Sequence, residues 1–253
     1  MKHFIFVLFF ISLHLRSHEQ IVNIENQRIQ NDTIHKVFNL ESAFSSQRNN
    51  DLALTEWHAA CVSQIKSKNA KDMLLVLLNN DKSVADKTVM NNASLVHIRC
   101  SHKIHPRIKL EAFYQIQANE LLALRQRQLF GSGCRFKVFD ASSIKIYLGS
   151  LYMYELESTD VKRATTSYQR CSNYLVVSGK LDHSQIEFSN VMYYQPLISN
   201  FNDFRFTEQF GMNVPISKHL YLTTNLSSYL DTSPPEGIAK YSYAISQGLR
   251  ISL

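Results

Sequence analysis

From residue 38 onward apolar side chains recur mostly at every second position, and only a β-strand with one apolar and one polar face has that period. The final segment shows it most clearly. Ala239, Tyr241, Tyr243, Ile245, Leu249, Ile251 and Leu253 share one parity, while Lys240, Ser242, Ser246, Gly248, Arg250 and Ser252 share the other. The same rhythm sets Ile108, Leu110, Ala112, Tyr114 and Ile116 against Lys109, Glu111, Gln115 and Gln117. About twelve such segments are predicted, at 38–46, 52–66, 70–79, 88–102, 107–119, 124–139, 143–156, 165–180, 184–197, 203–217, 219–231 and 238–253. An even number returns both ends of the wall to one side.

Strands of this length and patterning fit an all-β, antiparallel transmembrane β-barrel of about twelve strands. No stretch reaches 18 consecutive apolar residues, so helical spans are excluded and a membrane location requires a closed sheet. Twelve Tyr and 15 Phe beside only 7 Gly and 5 Pro favour long half-apolar strands over the short strands and frequent turns of a soluble sandwich, the structural alternative. Predicted links near Lys68-Asn69, His105-Pro106, Asp140-Ala141, Asp182-His183 and Ser217-Lys218 are short. Those at 79–87, 157–164, 198–202 and 232–237 are longer, as expected of external loops, and only 120–123 breaks the alternation.

The chain opens with Lys2 and His3 before the apolar run Phe4 to Leu13, too short to span a bilayer and typical of a signal peptide, here assigned to residues 1–17. Residues 18–37 are polar and aperiodic and are assigned as a periplasmic N-terminal segment, compatible with a tail, an extra strand or a lumen plug. The barrel is assigned to 38–253. The formal charge of +6 falls to +4 once Lys2 and Arg16 leave with the leader. No clustered basic motif points to nucleic acid.

Gln195-Pro196, Phe204-Arg205, Pro215, the loop Pro234-Pro235-Glu236-Gly237 and Gly248-Leu249, with the run from Leu124 to Gly133, resemble the salt-induced outer membrane protein family, domain of unknown function 481. The resemblance implies an outer-membrane barrel over 38–253, and the family supplies no catalytic residues. Two places depart from its pattern: Arg48-Asn49-Asn50-Asp51 stands where a Gly-Asn-Thr turn is usual, and the chain ends on Leu253 instead of an aromatic residue. The expected partners are outer-membrane lipid and, through the C-terminal strand, the outer-membrane assembly machinery, with the barrel a monomer.

No cofactor or metal site is expected. Cys61, Cys100, Cys134 and Cys171 fall on alternate predicted strands, beyond disulfide reach, and are expected to be free. The best hydrolase candidate, Asp182-His183-Ser184, consists of adjacent residues in a predicted periplasmic turn and is a poor triad. His58, beside Trp57, is expected to face the lumen in a structural role. The strongest site signal is lumen charge: Arg99, Lys109, Arg125, Arg127, Arg135, Lys137, Lys145, Arg205, Lys240 and Arg250 on inward parity against Glu41, Glu56, Glu111, Glu155 and Glu187. Two readings follow, a neutralising network that fills a narrow lumen or a weakly anion-preferring passage. Parity in 165–180 is ambiguous, and Glu208 falls among outward phenylalanines unless a bulge turns it inward. The expected function is an envelope-structural or limited solute-passage barrel without catalysis. The alternatives are a barrel lipid hydrolase and a soluble periplasmic β-sandwich binding protein.

Overall fold

The computed structural model describes residues 24–25, 28, 34–49, 52–86, 88–159, 165–181, 185–217 and 220–251. They form twelve strands: β1 Lys36–Asn49, β2 Leu52–Lys66, β3 Asp72–Ala85, β4 Thr88–His105, β5 Ile108–Asn119, β6 Leu124–Asp140, β7 Ile144–Thr159, β8 Thr166–Leu181, β9 Ile186–Leu197, β10 Asn200–Pro215, β11 Leu220–Asp231 and β12 Tyr241–Ile251. All are antiparallel neighbours in chain order within a single sheet, which excludes the two-sheet sandwich. Among the described residues β1 and β12 are each paired along one edge only.

The sheet curls strongly. Arg99 on β4 has its guanidinium 5.8 Å from the ring centre of Tyr174 on β8. A flat sheet would hold those strands roughly 19 Å apart, at about 4.8 Å per strand. Arg205 on β10 likewise reaches Glu155 on β7 at 2.7 Å. Room for this comes from small residues opposite large rings: Gly131 lies across the ladder from Phe113 and Gly149 from Tyr174. A Cβ at either glycine would overlap the facing ring.

Alternation along each strand sorts side chains by face. On β4, Asn91, Ala93, Leu95, His97, Arg99 and Ser101 are buried, while Asn92, Ser94, Ile98, Cys100 and His102 are exposed. The outer surface carries Phe38, Leu40, Phe44, Phe130, Leu148, Tyr243, Ile245 and Leu249, all exposed. Inside, buried polar and charged residues outnumber buried apolar ones among the described residues. A water-soluble fold has the opposite arrangement.

Strand ends differ from expectation on one side of the wall. Residues 67–71, 106–107, 141–143, 182–185 and 216–219 join strands at the end where β1 begins and β12 finishes. At the far end the links are 50–51, 86–87, 120–123, 160–165, 198–199 and 232–240, so three of them are as tight as any at the near end. Of the expected long loop at 79–87, residues 79–85 are strand instead. Asn79 and Asp81 are polar because they face inward, where both belong to one hydrogen-bonded group with His58. The expected loop at 198–202 also shortens, because β10 begins at Asn200. Glu208 keeps outward parity without a bulge and accepts a hydrogen bond from Asn190 Nδ2 at 3.0 Å.

Candidate lumen site

Three residues of the N-terminal segment lie inside the barrel. Ile24 packs in one apolar cluster with Val62, Met73, Leu75, Leu77 and Leu95 of β2, β3 and β4. Glu25 and Arg28 lie beside it, both almost without solvent contact. Of the segment 18–37 assigned to the periplasm, these three residues are therefore inside the wall. Lys36 and Val37 already belong to β1.

Around them sits an inner ion cluster. Glu25 pairs with Arg135 and, at 2.6 Å, with Arg99. Arg28 pairs with Glu111 at 2.6 Å and donates to Ser101 Oγ at 3.3 Å. Tyr174 donates to Glu111 Oε2 at 2.8 Å, and the Arg135 guanidinium lies 4.2 Å from the Tyr147 ring centre. Burial acts to raise the Glu25 pKa, but Arg135, Arg28 and Arg99 outweigh it and hold the carboxyl below its ordinary 4.5. Ions this far from water persist only when paired and hydrogen-bonded, so Glu25 and its guanidiniums are mutually dependent.

A second cluster lies nearer the far end. Glu155, buried on β7, meets Arg127 at 2.8 Å, Arg170 at 3.1 Å and Arg205 at 2.7 Å. Glu157, two residues along on the same face, takes Arg127 at 2.6 Å and Arg205 at 3.0 Å. Asp231 at the end of β11 adds a contact to Arg205 Nε at 3.0 Å. Five strands, β6, β7, β8, β10 and β11, are thus tied across the interior by ionic contacts.

Between the clusters is a cavity of about 120 Å³ with residues from β3 to β11 in its lining. Ile24, Leu95, Phe113, Leu129 and Met153 supply apolar wall, and His97, Arg99, Gln115, Tyr193, Gln195 and Thr207 supply polar groups.

The sequence-predicted lumen residues separate into groups. Arg99, Glu111, Arg127, Arg135, Glu155 and Arg205 are buried and belong to the two clusters. Arg125 is exposed, because the ladder skips it between Leu124 and Gln126 and the extra residue swings out. Lys137 sits at the near rim with Asp140 at 2.8 Å, and Glu187 faces Lys180 there at 3.7 Å. Lys109 and Lys145 are half-buried, Glu41 is exposed, and half-buried Glu56 accepts from Ser45 Oγ at 3.0 Å. Lys240 is exposed and precedes β12. Arg250 lies on β12, and its side chain is outside the described residues, as are Asp182, His183 and Ser184. Sequence parity missed Glu25, Arg28, Glu157, Arg170 and Asp231. For Glu157 a signal existed, since it shares parity with Glu155. Cys61, Cys100, Cys134 and Cys171 fall on β2, β4, β6 and β8 and are free.

A family model described as "Protein of unknown function, DUF481" matches residues 58–252, from within β2 to the end of β12. The chain belongs to the DUF481 family. In this DUF481 protein the family match covers both arginine-carboxylate clusters on the strands but not Glu25 or Arg28. No curated protein matches the sequence. Solved structures similar to this DUF481 chain include the NanC porin at 6% identity, covering 87% of this chain and 100% of that one with a TM-score of 0.47. A bacterial polysaccharide outer membrane secretin is similar at 8% identity, 87% and 91% coverage and a TM-score of 0.47. The translocator domain of the autotransporter NalP from Neisseria meningitidis is similar at 8% identity, 87% coverage of each chain and a TM-score of 0.43.

Proposed function

We propose that this DUF481 protein is a bacterial outer-membrane β-barrel, closed at rest, with an envelope-structural or limited solute-passage role and no catalytic chemistry of its own. The inverted distribution of faces carries this reading. A belt of exposed Phe, Leu, Ile and Tyr surrounds an interior of paired arginines and carboxylates, the arrangement a lipid-embedded barrel needs. In lipid an unpaired strand edge is costly, so β1 and β12 close the wall against each other there. Twelve strands lie between barrels of about eight, filled by their own side chains, and those of 16 to 18 that hold a channel. Here the inward side chains, with Ile24, Glu25 and Arg28, occupy that intermediate bore.

Reconstituted into planar bilayers, the mature chain should show no conductance steps, or small anion-preferring ones that weaken as salt screens the lumen. Large cation-selective steps from the unmodified protein would overturn the proposal.

A further inference from the structure

We propose that the cavity between the two ion clusters is a binding site for a small hydroxycarboxylate. Three polar groups lining it lack a hydrogen-bond partner among the described residues although they are buried: Arg99 Nε, the Tyr193 hydroxyl and His97 Nε2. A buried polar group left unpaired is destabilising, and three at one cavity point to an occupant that satisfies them.

Their chemistry defines the occupant. Arg99 Nε–H and Tyr193 O–H are donors, suited to two lone pairs of a carboxylate. The two side chains belong to one run of ring contacts, Arg99 to Tyr174 at 5.8 Å and Tyr174 to Tyr193 at 5.6 Å. His97 supplies the complementary group. Gln115 Nε2 donates to Gln117, which turns Gln115 Oε1 toward His97 Nδ1 at 2.9 Å. Nδ1 therefore carries the proton and Nε2 presents a lone pair, which a ligand hydroxyl would fill. The charged side chains in the cavity's lining, Arg99, Arg127 and Arg205, are all cations, and the inner cluster beside it sets three guanidiniums, of Arg28, Arg99 and Arg135, against the two carboxylates of Glu25 and Glu111, so the cavity favours an anion. Leu95, Leu129 and Met153 give an apolar wall for the carbon skeleton. The cavity's 120 Å³ is ample, since one water needs only about 10–15 Å³ by the same measure.

The site requires the lumen assignment but not passage through it, so its test is separable from conductance. The full mature chain in detergent micelles would be titrated with sodium glycolate, with sodium acetate, glycerol and sodium chloride at matched ionic strength as comparisons. Glycolate should raise the thermal midpoint saturably and give a measurable binding isotherm. Acetate, lacking the hydroxyl, should bind about tenfold more weakly, and glycerol and chloride should have no saturable effect. Tyr193→Phe removes a hydroxyl that has no hydrogen-bond partner among the described residues. It should weaken glycolate about tenfold while leaving the ligand-free midpoint unchanged or higher, which separates binding from folding. A glycolate response no larger than that of chloride, or an unchanged affinity in Tyr193→Phe, would overturn the site. Equal binding of acetate and glycolate would overturn the role of His97.

Discussion

Glu25→Lys should turn a silent barrel into a conducting one. The substitution places a fourth cation among Arg28, Arg99 and Arg135, all within ion-pair distance of the native carboxylate. Breaking a buried ion pair by removing one partner costs about 3–5 kcal/mol, and reversing the charge adds repulsion in a poorly screened interior. A change of 3 kcal/mol shifts a docked-to-undocked ratio by more than about a hundredfold, so Ile24, Glu25 and Arg28 should leave the bore. Glu25→Gln should give the same effect at smaller amplitude. The direction of the pH response follows from the depressed pKa. Above about 4.5, the ordinary value of a free glutamate, the full docking contribution of Glu25 is present. It is lost as pH falls through the lower docked value, so acid should open the unmodified barrel while any change between pH 5 and 8 should not. Single-channel recording checks both statements. A Glu25→Lys protein as silent as the parent, with normal folding, would show that this segment does not close the lumen.

Glu155→Gln should be the most destabilising single change in the strands. One buried carboxylate compensates Arg127, Arg170 and Arg205, and its loss leaves three guanidiniums sharing Glu157 and Asp231 with Asp203 at the edge. A cost of about 3–5 kcal/mol is expected, read as a lowered denaturant midpoint in detergent. The Arg205→Met change in the same chain should recover part of it, because it removes a cation that Glu155 no longer neutralises. A surface ion pair offers the contrast. Lys180→Gln, which breaks the exposed contact to Glu187, should cost no more than about 1 kcal/mol. Equal effects at Glu155 and Lys180 would contradict the buried network.

Strand order and facing were legible in the sequence because a period of two is forced wherever one face meets an apolar medium. On β12 the alternation from Tyr241 to Leu249 needs no tertiary information. Two features escaped that signal. Where both faces are polar, as at Asn79 to Ser83, a strand has the composition of a loop, and only the cross-strand contact of Asp81 with His58 shows why it stays extended. Where the ladder slips, as at Arg125, parity fails from one residue to the next although the composition is unchanged. The inner cluster was half legible. Arg99, Glu111 and Arg135 follow from strand parity, whereas Glu25 and Arg28 come from a segment without any period, and nothing local indicates which wall they meet. Their pairing rests on contacts 74 to 110 residues distant in sequence.

Separating the membranes of an expressing bacterium, and running the mature chain on gels with and without boiling, distinguishes a closed barrel embedded in the outer membrane from a soluble protein. The mature chain should be recovered with outer membranes and should show a faster-migrating unboiled form that converts on heating, since a closed barrel resists unfolding by detergent. Recovery in the soluble periplasmic fraction, with identical mobility before and after boiling, would contradict the membrane-embedded barrel.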